Sequence, residues 1–182
     1  QLDWYDSLEN GYMLAAFVTK DDPQVNNVAK RLVSGLSTDT DSGAIQAAYK
    51  IFNGLYFYGM NYVSEPSTYW TADAQSVQFP LETLKNQSGN CVDLSVLFSS
   101  LLEAVGVHTE LLLSTGHCQF AIVLPESGTI YPVEATVVGS PSITFVQAVR
   151  YAEKWKQQQL NKGTYYPIDG ESLWAAGMVP AW

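Results

Sequence analysis

Apolar residues in the first 60 positions recur with a helical period. Residues 2–17 carry aromatic and aliphatic side chains at mixed helical spacing. Pro23 opens a second stretch, which ends near Gly35 and whose apolar residues repeat every three or four positions. A third stretch follows the polar cluster at 39–42 and runs to about Tyr58. The pattern predicts three helices in this part of the chain.

Residues 59–78 have a loop-like, Ser/Thr/Asp-rich composition that nevertheless contains Tyr62, Tyr69 and Trp70. Polar loops that hold large aromatic residues often line a binding cleft. Aromatic residues that cover the hydrophobic core give the same pattern, so both interpretations stay open. A short helical turn at 81–85 is predicted after Pro80.

The sharpest break in the pattern is Ser88-Gly89-Asn90-Cys91. Asn90 is a favourable N-cap residue, and the residues that follow it are apolar on most sides of a helix. Gly106 ends this stretch, as glycine commonly does just beyond a helix. The pattern predicts a central, buried helix that begins at Cys91.

Beyond Gly106 the apolar residues follow the spacing of strands. Residues 107–113, 118–124 and 130–135 are predicted strands, and the short loops between them indicate antiparallel neighbours. A last helix is expected from 143 to about 160, followed by a tail rich in Tyr, Pro and Gly. Helices followed by an antiparallel sheet indicate an α+β fold.

The composition fits one globular domain. The chain has 182 residues, of which 47% are hydrophobic, 13% are aromatic and 15% are charged. The net charge of −9 repels phosphate backbones, so we expect no nucleic-acid partner. No apolar run is long enough to span a bilayer, so we expect no membrane insertion.

The setting of the protein is less constrained. Two cysteines cannot make a disulfide framework. The chain lacks an initiator Met and a recognisable signal peptide, which is typical of a mature form or of a domain of a larger polypeptide. The compartment stays open, although the low charge and the many aromatic residues favour an extracytoplasmic setting.

Cys91 is the first candidate for chemistry, because it lies in the first turn of a predicted helix. Unpaired N–H groups and the positive end of the helix dipole favour an anion there, so a thiolate would be stabilised and nucleophilic. A single cysteine is also commonly a small, buried apolar residue, and position alone does not separate the two interpretations.

His117 and Glu134 lie on the two strands that follow. His117 directly follows the Gly116 turn and could take a thiol proton. With a turn centred near Ser127, Glu134 lies opposite about Phe120, which is within diagonal reach of His117. A carboxylate in an apolar strand needs a partner, and it could orient the imidazole. A strand-end His and a surface Glu on an edge strand are the alternatives.

The three residues occur together in a pattern that resembles the transglutaminase-like superfamily of papain-type folds. The resemblance rests on Pro80-Leu81-Glu82-Thr83-Leu84, Gly89-Asn90-Cys91-Val92-Asp93, Gly116-His117 and Glu134-Ala135-Thr136. It implies that Cys91 is the nucleophile, His117 the base and Glu134 the orienting acid. It also implies a papain/transglutaminase-like core with N-terminal helices, in which the helix bearing Cys91 is buried against an antiparallel sheet.

The expected organisation is a single transglutaminase-like domain over 1–182. Its helical N-terminal part covers 1–60, the catalytic core about 61–140, and the C-terminal helix and tail 141–182. The convincing part of the resemblance runs from about Tyr62 to Gly139, and the preceding helix fits the family more loosely.

The sequence departs from the family pattern at three places. The family usually has Asp where Glu134 stands, and an acidic residue where Asn90 precedes the cysteine. Many members follow the His with a small residue and an aromatic one, whereas Cys118 and Gln119 follow His117 here. Because neighbours on a strand face opposite ways, we expect Cys118 to be structural and not bonded to Cys91.

An acyl-transfer site also needs donors for the oxyanion. The backbone N–H of Cys91 is the natural first donor, and the side-chain candidates are Gln78 and Trp70, with Gln87 behind them. Tyr69 and Trp70 are candidates for substrate binding. Asp93 lies in the first turn of the helix, where it complements the dipole.

Two functional classes compete at this point. The favoured one is a thiol-dependent peptide or amide hydrolase that acts on a peptide or protein substrate without a metal or other cofactor. The same acyl-enzyme could instead be resolved by an amine, as in protein cross-linking. The rival class is a binding module that keeps the fold without turnover. A zinc site formed by Cys91, His117, Cys118 and His108 is disfavoured, since the ligand spacing of structural zinc sites is absent.

Overall fold

A computed structural model of the chain describes residues 2–4, 8–64 and 75–181. It contains six α-helices in these ranges and two stretches of 3₁₀ helix, Leu8–Phe17 and Ala135–Val137. The α-helices are α1 Pro23–Leu32, α2 Asp41–Tyr58, α3 Pro80–Asn86, α4 Cys91–Glu103, α5 Phe145–Lys162 and α6 Gly170–Ala175.

The described strands form one main sheet and two small pairs. They are β1 Leu2–Trp4, β2 Asn61–Tyr62, β3 Gln75–Val77, β4 Ser88–Gly89, β5 Thr109–Ser114, β6 His117–Val123, β7 Ile130–Val133 and β8 Tyr166–Asp169. The main sheet is antiparallel with the order β7-β6-β5-β8. β1 pairs antiparallel with β3, and β2 pairs in parallel with β4. The predicted α+β class is confirmed.

Helix α4 occupies the centre of the molecule. Asn90 caps it, because its side-chain oxygen accepts from the backbone N–H groups of Val92 and Asp93 at 2.9 and 3.0 Å. Its residues from Val92 to Leu102 are all buried. Each fully buried leucine on such a helix contributes about 2 kcal/mol of transfer free energy. The predicted burial is confirmed, and the chain turns away from the helix at Gly106, whose φ is 78°.

Several predicted boundaries hold to within a few residues. α1 and α2 match the second and third predicted helices, and Gly59, in the left-handed conformation, ends α2. Three predicted strands appear as β5, β6 and β7, and the last predicted helix appears as α5. No helix in the described part of the chain is both long and apolar enough to cross a membrane.

Both ends of the chain differ from the prediction. Residues 2–17 are not one α-helix, since Leu2–Trp4 forms a strand and Leu8–Phe17 is a 3₁₀ helix. The C-terminal tail is not structureless, because β8 pairs with β5 along Glu110–Leu113. A strand at the edge of a sheet tolerates Pro167, which is why the local sequence hides it. Both differences arise from contacts with distant parts of the chain.

A charged cluster around His108 joins the C-terminal segment to the rest of the fold. The ring nitrogens lie 3.4 Å from Glu103, 3.3 Å from Asp169 and 3.3 Å from Glu171. Lys20 lies 4.0 Å from Glu103 and adds a positive charge at the edge of the cluster. The contact with Glu103 does most to raise the pKa of His108; burial opposes the rise, and the charges of Asp169 and Glu171 add to it.

Replacing His108 by Gln should make stability less dependent on pH. Because the folded state raises the pKa of His108, its contribution is complete below the unfolded value of about 6.5 and fades as the pH rises through the folded pKa. The excess stability of the wild type over His108→Gln should therefore be larger near pH 6 than near pH 9. Urea denaturation of both proteins at the two pH values measures this. His117 is present in both proteins and cancels, so a difference independent of pH would contradict the cluster.

Candidate active site

Cys91 lies at the first position of α4, at the end of the short parallel pair β2 and β4. The backbone N–H of Val63 donates to the carbonyl of Gly89 at 3.0 Å, which holds the segment after β2 beside the entrance to the helix. A Cβ atom on Gly89 would lie 2.7 Å from the Cβ of Asp93, so only glycine fits there. The thiol of Cys91 is partly exposed. The sequence Gly-Asn-Cys thus positions an accessible thiol at a helix N-terminus.

Asp93 fixes this helix start from inside. Its buried carboxylate accepts from the backbone N–H of Asn90 at 3.0 Å and from the backbone N–H of Gln78 at 2.8 Å. The side-chain Nε2 of Gln78 adds a third bond at 3.0 Å. Burial raises the pKa of Asp93, although these hydrogen bonds oppose the rise. Asp93 therefore does more than complement the dipole, because it ties the segment before α3 to the start of α4.

His117 is the first residue of β6, and Glu134 directly follows β7. Val133 lies opposite Phe120, so the register is shifted by one residue from the expected pairing of Glu134 with Phe120. The shift brings Glu134 closer to His117 than expected. The Nε2 atom of His117 lies 2.9 Å from Oε2 of Glu134, and a quarter of the His117 side chain is exposed.

The other side of the imidazole faces Cys91. Burial alone would lower the pKa of His117, but hydrogen bonds to Cys91 and Glu134 and their charges outweigh it and raise the pKa from 6.5 to about 10. Since Nε2 is engaged by Glu134, Nδ1 is the nitrogen left for the thiol. His117 thus contacts Cys91 on one side and Glu134 on the other, and its raised pKa favours the imidazolium form.

Glu134 is held by four donors. Thr136 donates to Oε1 from its backbone N–H at 3.1 Å and from its hydroxyl at 2.7 Å. Oε2 receives His117 and also Nε2 of Gln119, at 2.5 Å. Burial raises the pKa of Glu134, but His117 and Thr136 more than offset this, and the net pKa is lowered. A carboxylate with these partners stays ionised although it is buried.

A family model described as the Transglutaminase-like superfamily matches residues 26–169, which include all three side chains. The chain belongs to the transglutaminase-like superfamily. No curated protein matches it. Its fold is α+β with the papain-like arrangement of that superfamily, as the sequence pattern predicts.

Solved structures add one distant likeness. A crystal structure of a protein from Parabacteroides distasonis ATCC 8503, named "putative protease", superposes with a TM-score of 0.44 at 14% sequence identity. The match covers 65% of this chain and 26% of that one, so this chain spans about a quarter of that protein. The family assignment rests on the family model alone.

Trp155 on α5 is a site residue that the sequence pattern missed. Its ring meets the imidazole of His117 edge to face, with centroids 5.4 Å apart and planes at 75°. Tyr165 lies against the other side of Trp155, at 6.5 Å. The indole therefore covers part of the His117 ring, a quarter of whose side chain remains exposed. The one signal in the sequence is that Trp155 interrupts an otherwise polar run, and nothing there connects it to His117.

Two of the predicted side-chain donors for the oxyanion, Gln78 and Gln87, have other partners. Both N–H groups of the Gln78 amide are used, by Asp93 at 3.0 Å and by the carbonyl of Ser88 at 3.3 Å. The amide of Gln87 donates to the carbonyl of Tyr58. In this conformation both N–H groups of Gln78 and one N–H group of Gln87 are engaged, and we leave both side chains out of the proposed site.

The predicted aromatic residues are only partly visible. Tyr69 and Trp70 lie outside the residues that the structure describes, so their predicted roles stay predictions. Tyr62 is described, and 43% of its side chain is exposed on β2, beside the strand that leads into Cys91. It therefore lies on the surface near the site and does not cover the core.

Cys118 and the other candidate metal ligands do not form a disulfide or a metal-binding group among the described residues. Cys118 is fully buried and Cys91 is partly exposed, and both are free cysteines, so the two are not bonded. Burial raises the pKa of Cys118 well above its usual value, and the thiol stays protonated. Within the described ranges, no group of three or more His, Cys, Asp or Glu side chains is arranged to hold a metal ion.

Proposed function

We propose that this member of the superfamily is a thiol-dependent acyl-transfer enzyme that hydrolyses peptide or amide bonds. The observation that supports this most directly is that His117 contacts both Cys91 and Glu134, with 2.9 Å between the imidazole and the carboxylate. Nucleophile, base and orienting acid are the three roles that thiol catalysis requires, and each is filled by a chemically suitable group.

In the proposed mechanism the thiolate of Cys91 attacks the carbonyl carbon of the substrate. The imidazolium of His117 gives its proton to the leaving amine as the carbon–nitrogen bond breaks, leaving an acyl-enzyme. His117 then takes a proton from water, which attacks the thioester and releases the acid. Glu134 stays ionised throughout and stabilises the imidazolium.

The oxyanion of the tetrahedral intermediate needs a donor beside the thiol. The backbone N–H of Cys91 suits this role, since an N–H at the first position of a helix has no partner within the helix. The dipole of α4 adds to the stabilisation of negative charge at this point. Trp70 keeps its place as a candidate for the second donor.

Water, and not an amine, is the acceptor that we propose. A cross-linking enzyme would use the same acyl-enzyme, so the two reactions separate only at the second step. Incubation with a glutamine-bearing protein and a labelled amine decides between them. Release of ammonia or peptide without incorporation of label supports hydrolysis, whereas incorporated label would replace it by cross-linking.

The first test is the reactivity of the thiol, measured with iodoacetamide as a function of pH. We expect Cys91 to alkylate near pH 6 at least tenfold faster than a free thiol such as glutathione, because the imidazolium stabilises the thiolate. His117→Gln should remove the advantage, and Cys118→Ala should leave it unchanged. Labelling of the wild type no faster than glutathione below pH 7 would favour a binding module that lacks turnover.

A further inference from the structure

Gln119 is a buried polar residue next to the proposed triad whose presence packing alone does not explain. It follows His117 by two positions on β6, so both side chains point to the same face of the sheet. None of its side chain is exposed. An apolar side chain would fill this space without the cost of burying an amide.

The amide makes one short contact, and that contact is to Glu134. Nε2 donates to Oε2 at 2.5 Å, and this is the oxygen that His117 reaches at 2.9 Å. The other end of the amide, Oε1, is buried without a hydrogen-bond partner among the described residues. The bond from Nε2 offsets the cost of the unpaired Oε1, since a hydrogen bond to an ionised group is about twice as strong as a neutral one. The role of the Gln119 side chain therefore lies in its N–H donor.

The orientation of the amide follows from the charge of its partner. Turning the group over would place Oε1 2.5 Å from a carboxylate oxygen, with no proton between them. His117 and Thr136 lower the pKa of Glu134, so the carboxylate is ionised and accepts. The N–H of Gln119 is therefore a fixed donor aimed at the oxygen that orients the imidazole.

We propose that Gln119 is a positioning residue that keeps Glu134 ionised and turned towards His117. The proposal rests on the proposed function in one respect, namely that His117 acts as the base of the enzyme. Without this donor, Oε2 keeps the imidazole as its one remaining partner and the carboxylate is freer to rotate or to take up a proton. The positive form of His117 is then less favoured, and so is the thiolate of Cys91.

The direct test is the titration of His117 in Gln119→Met, followed by NMR of the imidazole protons. Methionine keeps the length and volume of the side chain and removes the donor. The chain has two histidines, and His108→Gln assigns their signals. We expect the midpoint of His117 to fall by at least about one pH unit in Gln119→Met, while that of His108 stays unchanged.

A matched control separates positioning from general damage to the core. Ser95→Ala also removes a buried hydrogen bond near the site, from Ser95 to the carbonyl of Cys118, but on the other face of β6. It should leave the midpoint of His117 where it is. Unchanged midpoints in Gln119→Met, or equal shifts in both variants, would overturn the proposal.

A second pair of readouts keeps this proposal distinct from the proposed function. A fall in the His117 midpoint in Gln119→Met supports the positioning role even when the wild-type thiol is unreactive. An unreactive thiol would contradict only the proposed enzymatic function. If the wild-type thiol is reactive and its reactivity has the same pH dependence in Gln119→Met, the positioning role is overturned and the proposed enzymatic function stands.

Folding of the variant is not essential to the test. In the wild type, the side-chain N–H signals of Gln119 should exchange slowly and move with the titration of His117. Signals that exchange rapidly, or that ignore this titration, would show that the amide does not hold Glu134.

Discussion

Replacing Cys91 by Ala should lower the proposed turnover by about 10³-fold or more, because no acyl-enzyme can form without the nucleophile. The substrate to use is p-nitrophenyl acetate, an activated ester that reports acyl transfer before the natural substrate is identified. The release of p-nitrophenol and the mass of the acetylated protein are both measured. The fold should persist, because the thiol is partly exposed and packs little of the core.

Cys118→Ala is the matched control for this experiment. It removes the same atom from the other cysteine, which is fully buried and whose pKa is raised by burial. Its turnover should stay close to that of the wild type. Turnover or acetylation that survives in Cys91→Ala would move the reaction to another residue and refute the proposed nucleophile.

Replacing Glu134 by Gln should lower the proposed turnover by about 10²- to 10⁴-fold while the protein remains folded. The amide is neutral, so it cannot stabilise the imidazolium. It also cannot accept from His117 and Gln119 on one side and from Thr136 on the other, because one of its ends is itself a donor. The rate of p-nitrophenyl acetate hydrolysis, together with the thermal midpoint, measures the effect.

Glu110→Gln controls for the loss of a negative charge on the same face of the sheet. Glu110 is partly buried, pairs with Ala121 across β5 and β6, and makes no contact with His117. It should retain most of the turnover. Equal losses in the two variants would assign the effect to the electrostatic field of the sheet, and full activity in Glu134→Gln would remove Glu134 from the site.

Cys91 could be picked out from the sequence as a candidate nucleophile because the signals around it are local. Asn90 caps the helix that Cys91 begins, and the capping atoms lie within three residues of each other. The burial of α4 can likewise be predicted from its own residues, most of which are apolar. Periodicity and cap chemistry operate over a few positions, and so a single sequence displays them.

The cross-strand position of Glu134, the proposed orienting acid, is harder to predict because strand register depends on two strands. The prediction set Glu134 opposite Phe120, and the structure sets Val133 there. A shift of one residue reverses the face on which a side chain lies within a regular strand. Glu134 escapes this consequence because β7 ends at Val133 and Glu134 begins the turn of 3₁₀ helix that Thr136 closes.

The remaining parts of the site depend on residues far apart in the chain. Trp155 reaches His117 only because α5 packs beside β7, and no pattern near residue 155 encodes that contact. Gln119 is visible in the sequence as a departure from the family pattern, but its partner is not. The pairing of β8 with β5 is hidden in the same way, by a separation of more than 50 residues.

The burial of α4 has a consequence for how the proposed enzyme would lose its activity. Segments with few buried contacts open by local fluctuations, whereas a helix enclosed on all sides opens only with the whole molecule. Cys91 is attached to a helix of the second kind, and Asp93 anchors its first turn to Gln78. The proposed nucleophile therefore belongs to the last part of the protein to unfold, and we expect its displacement to coincide with global unfolding.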